Sequence, residues 1–191
     1  MGRVGECSER LRVIMRRAVF LDRDGVINAS VVRDGKPYPP ASLEDLKILP
    51  GVAEAIRFLR EAGFVVVVVT NQPDVATGIQ RREVVEKMHR NLRNELLIDD
   101  IRVCYHTDAD NCACRKPKPG MLLEAAHDLE IDLTRSFMVG DRWRDIEAGK
   151  AASCHTFFID YEYVERKPSS PDLVVTSLKE ASEIILSPEN R

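Results

Sequence analysis

The chain has 191 residues, of which 44% are hydrophobic and 31% charged, a balance that supports a buried core and excludes general disorder. Its 28 Lys and Arg against 31 Asp and Glu leave a net charge of -3, which offers no broad attraction to nucleic acid or an anionic membrane. The longest apolar run, Phe64 to Val69, is far too short to span a bilayer.

Residues 1–17 are rich in Arg, carry no sustained apolar stretch and have Glu6 where a myristoylation signal needs Ser or Thr. They read as a flexible N-terminal extension before a single domain over residues 18–191, in a chain expected to stay in the cytoplasm. Ala18–Leu21 is a short apolar strand that runs into Asp22-Arg23-Asp24-Gly25. The connection from Asn28 to Pro50 is too short for a second domain. No large cap is therefore expected, and short loops around Val31–Pro40 are expected to border any site. Val52, Ile56 and Leu59 follow Pro50-Gly51 at helical spacing and stop at Gly63, a C-terminal cap.

Residues 64–70 are β-branched almost throughout, the mark of a strand buried on both faces in a parallel sheet. Val84, Met88, Leu92 and Leu96 form one helical stripe, and Leu122, Leu123, Ala126 and Leu129 another; both read as core. Short strands are expected at 101–103, 137–139, 156–159 and 173–175, and Ser177 with Glu180 reads as a capping box opening the last helix. Strands alternating with single helices give an α/β fold: a doubly wound parallel sheet with helices on both faces and right-handed crossovers. Such sheets bind ligands at the carboxyl ends of their strands. Three strands end in polar residues: Asp22-Arg23-Asp24-Gly25, Thr70-Asn71-Gln72 and Gly140-Asp141.

Asp22 and Asp24, two apart in extended chain, point the same way, with Arg23 opposite. Paired carboxylates need a cation to stay ionised together, or they divide the work of nucleophile and acid/base. Asp141 ends another strand, and Asp145 follows one helical turn later; a helix N-terminus accounts for one such acid, not for three polar strand ends. Hard carboxylate ligands suit Mg²⁺. Thr70 offers a hydroxyl and Asn71 an amide, while Arg115 and Lys116, just before a helix, could grip phosphate oxygens.

Of five cysteines, Cys7 and Cys154 stand alone. Cys104, Cys112 and Cys114 cluster with His106 in the pattern C-x-H-x5-C-x-C. An odd count with tight clustering argues for metal in a reducing compartment rather than disulfides. Three thiolates and an imidazole fill a tetrahedral shell, so the expected ion is a structural Zn²⁺ holding the loop that delivers Arg115 and Lys116. His89, His127 and His155 lack such company and read as surface or helix histidines.

Together, Phe20-Leu21-Asp22-Arg23-Asp24-Gly25, Thr70-Asn71-Gln72, Arg115-Lys116-Pro117 and Gly140-Asp141-x3-Asp145 resemble, in order and separation, the haloacid dehalogenase superfamily of aspartyl-phosphate phosphatases. With the cysteine loop, the chain looks like the branch holding heptose bisphosphate and histidinol-phosphate phosphatases, and the segment from Cys114 to Met121 looks closer to the heptose side. The resemblance implies that Asp22 is the nucleophile and Asp24 the acid/base. It also implies that Mg²⁺ is held by Asp22, the Asp24 carbonyl and Asp141. Thr70, Asn71 and Lys116 would contact phosphate, Arg115 substrate, and Asp145 would orient its neighbours.

The implied partner is a small phosphorylated sugar, turned over by a monomer or weak oligomer. Pro73-Asp74 departs from the Ser-Gly usual in the heptose branch, and an acid there disfavours a second phosphate. Histidinol phosphate is the alternative substrate, and a zinc-stabilised binding protein without catalysis the alternative class.

Overall fold

The computed structural model describes residues 15–188. Six strands form one parallel sheet: β1 (Ala18–Leu21), β4 (Val65–Asn71), β5 (Asp100–Cys104), β6 (Phe137–Gly140), β7 (His155–Ile159) and β8 (Leu173–Val175). Their order is β5-β4-β1-β6-β7-β8. The chain builds outward from β1 on one side, then returns to build on the other, so strand order reverses at β1.

Side-chain alternation divides the core. Val19 and Leu21 of β1 and Val66 and Val68 of β4 face α1 (Val52–Glu61), α2 (Arg82–Glu95) and α5 (Leu178–Ile185). Ala18, Phe20, Val65 and Val67 face α3 (Gly120–Leu129) and α4 (Trp143–Ala151) on the other side. Helices therefore cover both faces. The expected strands and helices are all present, and among the described residues no helix is long and apolar enough to cross a membrane.

Several details differ from the sequence reading. The segment expected to be loop around 31–40 is a hairpin, β2 (Val31–Arg33) and β3 (Lys36–Tyr38), paired antiparallel. Its two turn residues, Asp34 (φ 51) and Gly35 (φ 71), are both left-handed, which matches the twist of a two-residue hairpin turn. In α3, Leu123 is exposed and Met121 takes the buried place; in α2, Val85 is buried rather than Val84. Ser177 Oγ accepts from the Glu180 N–H at 3.2 Å, but the Glu180 carboxylate caps Thr176 instead of closing the box.

Most of the expected extension, residues 1–14, lies outside the described residues. Arg16 is tied into the fold: its N–H donates to Glu130 O and its carbonyl accepts from Asp132 N, both at 2.8 Å.

Candidate active site

The three polar strand ends belong to β4, β1 and β6, which are neighbours at the centre of the sheet. They open on a cleft of about 290 Å³. Asp22, Asp24, Thr70, Asn71, Arg115, Lys116, Asp141 and Asp145 all line it. The hairpin contributes Lys36 and Tyr38 to the rim.

Lys116 is 2% exposed; its ammonium donates to Asp22 Oδ1 at 2.8 Å and to Val69 O at 2.7 Å, and pairs with the Asp145 carboxylate, Oδ1 lying 2.6 Å away. Burial opposes the charge, but Asp145 and Asp22 together hold its pKa above the ordinary lysine range. Its backbone is clasped by Asn71, whose amide donates to Lys116 O (3.0 Å) and accepts from Lys116 N (3.1 Å). The Asn71 side chain is thus committed to placing the lysine.

Carboxylate oxygens of Asp22, Asp141 and Asp145 lie within 4.8 Å of one another. Burial pushes the Asp22 carboxyl up to about 6; Lys116 opposes the rise, while Asp145 and Asp24 add to it. Asp141 is raised well above the usual range, again by burial first and then by the charges of Asp22 and Asp145. Both of its carboxylate oxygens are buried without a hydrogen bond of good geometry, the nearby Tyr163 side chain only tempering the rise. Ionised together, three carboxylates against one ammonium would leave two negative charges uncompensated, and orphaned buried oxygens are rare in native proteins. The donor set therefore fits a hard divalent cation. The backbone is shaped for this closeness: Gly25 (φ +85) leaves out a Cβ that would fall on the Asp141 carboxylate, and Gly140 one that would fall on Asp145.

Asp24 departs from the expected pairing. Arg23 does not point away from it. The guanidinium folds back onto the Asp24 carboxylate, with Nη2 at 2.8 Å from Oδ2 and Nε at 3.1 Å from Oδ1. Asn28 donates to Oδ1 and Gln72 to Oδ2, each at 2.9 Å. The reason is electrostatic: Arg23 is fully buried and requires a carboxylate beside it. Burial tends to raise Asp24, but Arg23, Asn28 and Gln72 together hold its carboxyl below the ordinary value. Gln72, quoted but given no role by the sequence, also donates to Thr70 Oγ1 at 2.9 Å and so links the two strand ends.

Arg115 reaches Asp108 at 2.8 Å and His106 O at 3.1 Å. Arg144, to which the sequence pattern assigned no role, shares Asp108 at 2.9 Å and joins the cleft lining. His127 and His155 are exposed. His89 lies in a helix, α2, on its buried side, with its Nε2 3.0 Å from Arg23 Nη1.

Cys104, His106, Cys112 and Cys114 converge at the end of β5. The Sγ–Sγ separations are 3.2, 3.5 and 3.7 Å, and His106 Nδ1 lies 3.4 and 3.6 Å from Cys114 and Cys104. A tetrahedron with metal–sulfur bonds of about 2.3 Å has edges of about 3.8 Å, and a disulfide would be about 2.0 Å. The spacing fits four ligands around one zinc-sized ion. Burial holds the Cys104 thiol up, while against burial the Arg115 N–H and neighbouring thiols bring Cys112 to about 7.

The sequence pattern of haloacid dehalogenase-like hydrolases matches residues 31–153. A D-glycero-beta-D-manno-heptose-1,7-bisphosphate 7-phosphatase of Rhodopseudomonas palustris is 41% identical over 162 residues, covering 78% of this chain and 87% of that protein. The same-named protein of Photorhabdus laumondii is 40% identical over 151 residues, 73% of this chain and 77% of its own. Among solved structures, the D,D-heptose 1,7-bisphosphate phosphatase from B. bronchiseptica, complexed with magnesium and phosphate, matches with a TM-score of 0.76 and 31% identity. It covers 89% of this chain and 98% of that one. With its parallel sheet, uncapped cleft and these relatives, the chain belongs to the haloacid dehalogenase-like hydrolases and is an enzyme of that family.

Proposed function

We propose that this enzyme is a Mg²⁺-dependent phosphomonoesterase that removes the 7-phosphate of D-glycero-D-manno-heptose 1,7-bisphosphate through an aspartyl-phosphate on Asp22. The observation that carries the metal and the nucleophile is the buried Asp141 carboxylate, without a hydrogen bond of good geometry, beside Asp22. The names of the relatives support the substrate.

Mg²⁺ would be held by the carboxylates of Asp22 and Asp141 and the main-chain carbonyl of Asp24, with Asp145 oriented by Lys116 and the Arg142 N–H. When bound, the ion supplies positive charge to the nucleophile and to the phosphoryl oxygens. An Asp22 oxygen attacks phosphorus and the ester P–O bond breaks. Asp24 gives its proton to the departing sugar oxygen, then takes one from the water that attacks phosphorus and frees Asp22. Thr70 Oγ1 and the Lys116 ammonium stabilise the transferring group, which needs placement and charge more than covalent help. For Asp24 to carry a proton, its carboxylate has to be released from at least one Arg23 N–H, because that ion pair favours the ionised form.

Cys104, His106, Cys112 and Cys114 would hold a structural Zn²⁺, and cysteines kept out of disulfides suit a reducing, cytoplasmic setting. Arg115 and Arg144 recognise the sugar phosphate from the cleft wall.

Parallel phosphate-release assays on the heptose bisphosphate and on histidinol phosphate test the substrate; negligible turnover of the heptose ends that reading. Asp22→Asn tests the mechanism, and a variant as fast as the native enzyme would remove Asp22 as nucleophile.

A further inference from the structure

Arg23 has no exposed surface, and its guanidinium joins two parts of the fold. The inner edge, Nε and Nη2, holds Asp24; the outer Nη1 has His89 of α2 as its partner, at 3.0 Å. A guanidinium can only donate, so His89 Nε2 is the acceptor and the ring is neutral with its proton on Nδ1. Burial, then the charge of Arg23, brings His89 down to about 4, in accord with that assignment. His89 sits between Met88 and Leu92 on the buried side of α2, where an apolar residue would fill the space without meeting Nη1. Only an acceptor anchors the outer end of the guanidinium.

We propose that His89 is a positioning residue for phosphoryl transfer: through Arg23 it sets where the Asp24 carboxylate stands at the cleft. The proposal rests on the reading of Asp24 as acid/base. With Nη1 anchored, the guanidinium can slacken its hold on Asp24 and recapture it without leaving the site. With Nη1 free, a buried N–H lacks a partner and the guanidinium turns to find one, taking Asp24 along. A misplaced acid costs most where the leaving oxygen needs a proton, as a sugar alkoxide does, and least where an activated phenolate departs unaided.

The test is single-turnover alcohol release from a sugar phosphate and from p-nitrophenyl phosphate, using full-length enzyme with saturating Mg²⁺. His89→Leu should release the sugar roughly ten-fold more slowly, with KM little changed and aryl release within about two-fold of native. His89→Gln, whose amide oxygen can accept from Nη1, should recover most of the loss. If His89→Leu does not fold, His89→Asn, which draws the acceptor back by one methylene, takes its place and should show the same difference between esters. Equal losses on both esters, no loss on either, or Gln behaving like Leu or Asn would overturn the proposal. Asp24→Asn run alongside separates the two readings: if it leaves sugar release unchanged, the acid/base role of Asp24 fails, whereas a slow Asp24→Asn with a fast His89→Leu removes His89 alone.

Discussion

The Lys116 ammonium meets Asp22 Oδ1 at 2.8 Å although 94 residues separate them in sequence. The lysine comes from the loop that follows the Cys/His cluster, the aspartate from the central strand. Their contact couples the order of that loop to the state of the nucleophile.

Replacing Lys116 with Met should therefore cost both stability and turnover. Asp22, Asp141 and Asp145 would remain buried with no ammonium, and stripping one partner from a buried ion pair destabilises by about 3–5 kcal/mol. Turnover should fall by about 10²–10³, the usual loss when a charge-stabilising donor is removed. Saturating Mg²⁺ should restore part of the stability and little of the rate. Melting curves and phosphate release check the two halves, and a variant that melts like the native protein without Mg²⁺ would contradict the charge argument.

The acid cluster also makes metal-free stability depend on pH. Asp22 holds its proton up to about 6 in the fold, against 3.8 in the unfolded chain. Between those values the folded protein binds more protons, so this contribution is complete below about pH 4 and is lost as pH rises through 6. The difference corresponds to roughly 3 kcal/mol, and Asp141, raised by the same burial, acts in the same direction. Added Mg²⁺ should thus raise the melting temperature far more above pH 6 than below pH 5. Equal gains at both pH values would mean that the ion binds elsewhere.

Much of this site could be read from the chain because its parts lie at strand ends. Asp22, Thr70 and Asp141 each interrupt an apolar run, and a parallel sheet brings such ends together. The cysteine spacing was equally local. What the chain concealed were partnerships across elements. Alternation sets where the Arg23 Cα–Cβ bond points, but a long guanidinium can turn back, and its burial beside Asp24 depends on α2 lying overhead. His89 was hidden because an apolar stripe gives no sign of which polar residue shares its face. The hairpin does carry a signal, Asp34-Gly35 between Val32 and Tyr38, but strands of three residues are too short for an alternation to show.

Removing the thiol of Cys114 should act at a distance. Cys114 lies two residues before Lys116 and within 3.5 Å of both other cluster sulfurs. Cys114→Ser, or a zinc chelator, should release the expected ion, lower the melting temperature and depress turnover through a misplaced Lys116. Zinc content by elemental analysis, melting and phosphate release should fall together. Unchanged stability and rate after the metal is stripped would refute a structural role for the cluster.

Gly25→Ala should impair metal binding more than folding. Ala at φ +85 costs about 1–2 kcal/mol in backbone strain. Its Cβ would also displace the Asp141 carboxylate, so the Mg²⁺ concentration for half-maximal activity should rise at least about ten-fold. Mg²⁺ titration of activity reads this directly, and a native-like titration would show that Asp141 is not needed where it stands.

Asp74 bears on the second phosphate. It lines the cleft with Lys36, Arg115 and Arg144, in the short turn that follows Gln72. A carboxylate roughly 6 Å from a doubly charged phosphate costs about 1 kcal/mol when solvent screens the pair. Asp74→Asn should then lower KM for a sugar bisphosphate about three- to five-fold while leaving a sugar monophosphate unaffected, and the gain should shrink in high salt. Initial rates on both esters at two ionic strengths provide the comparison. An equal change on the two substrates, independent of salt, would mean that Asp74 bonds to the sugar and does not act through its charge on the distal phosphate.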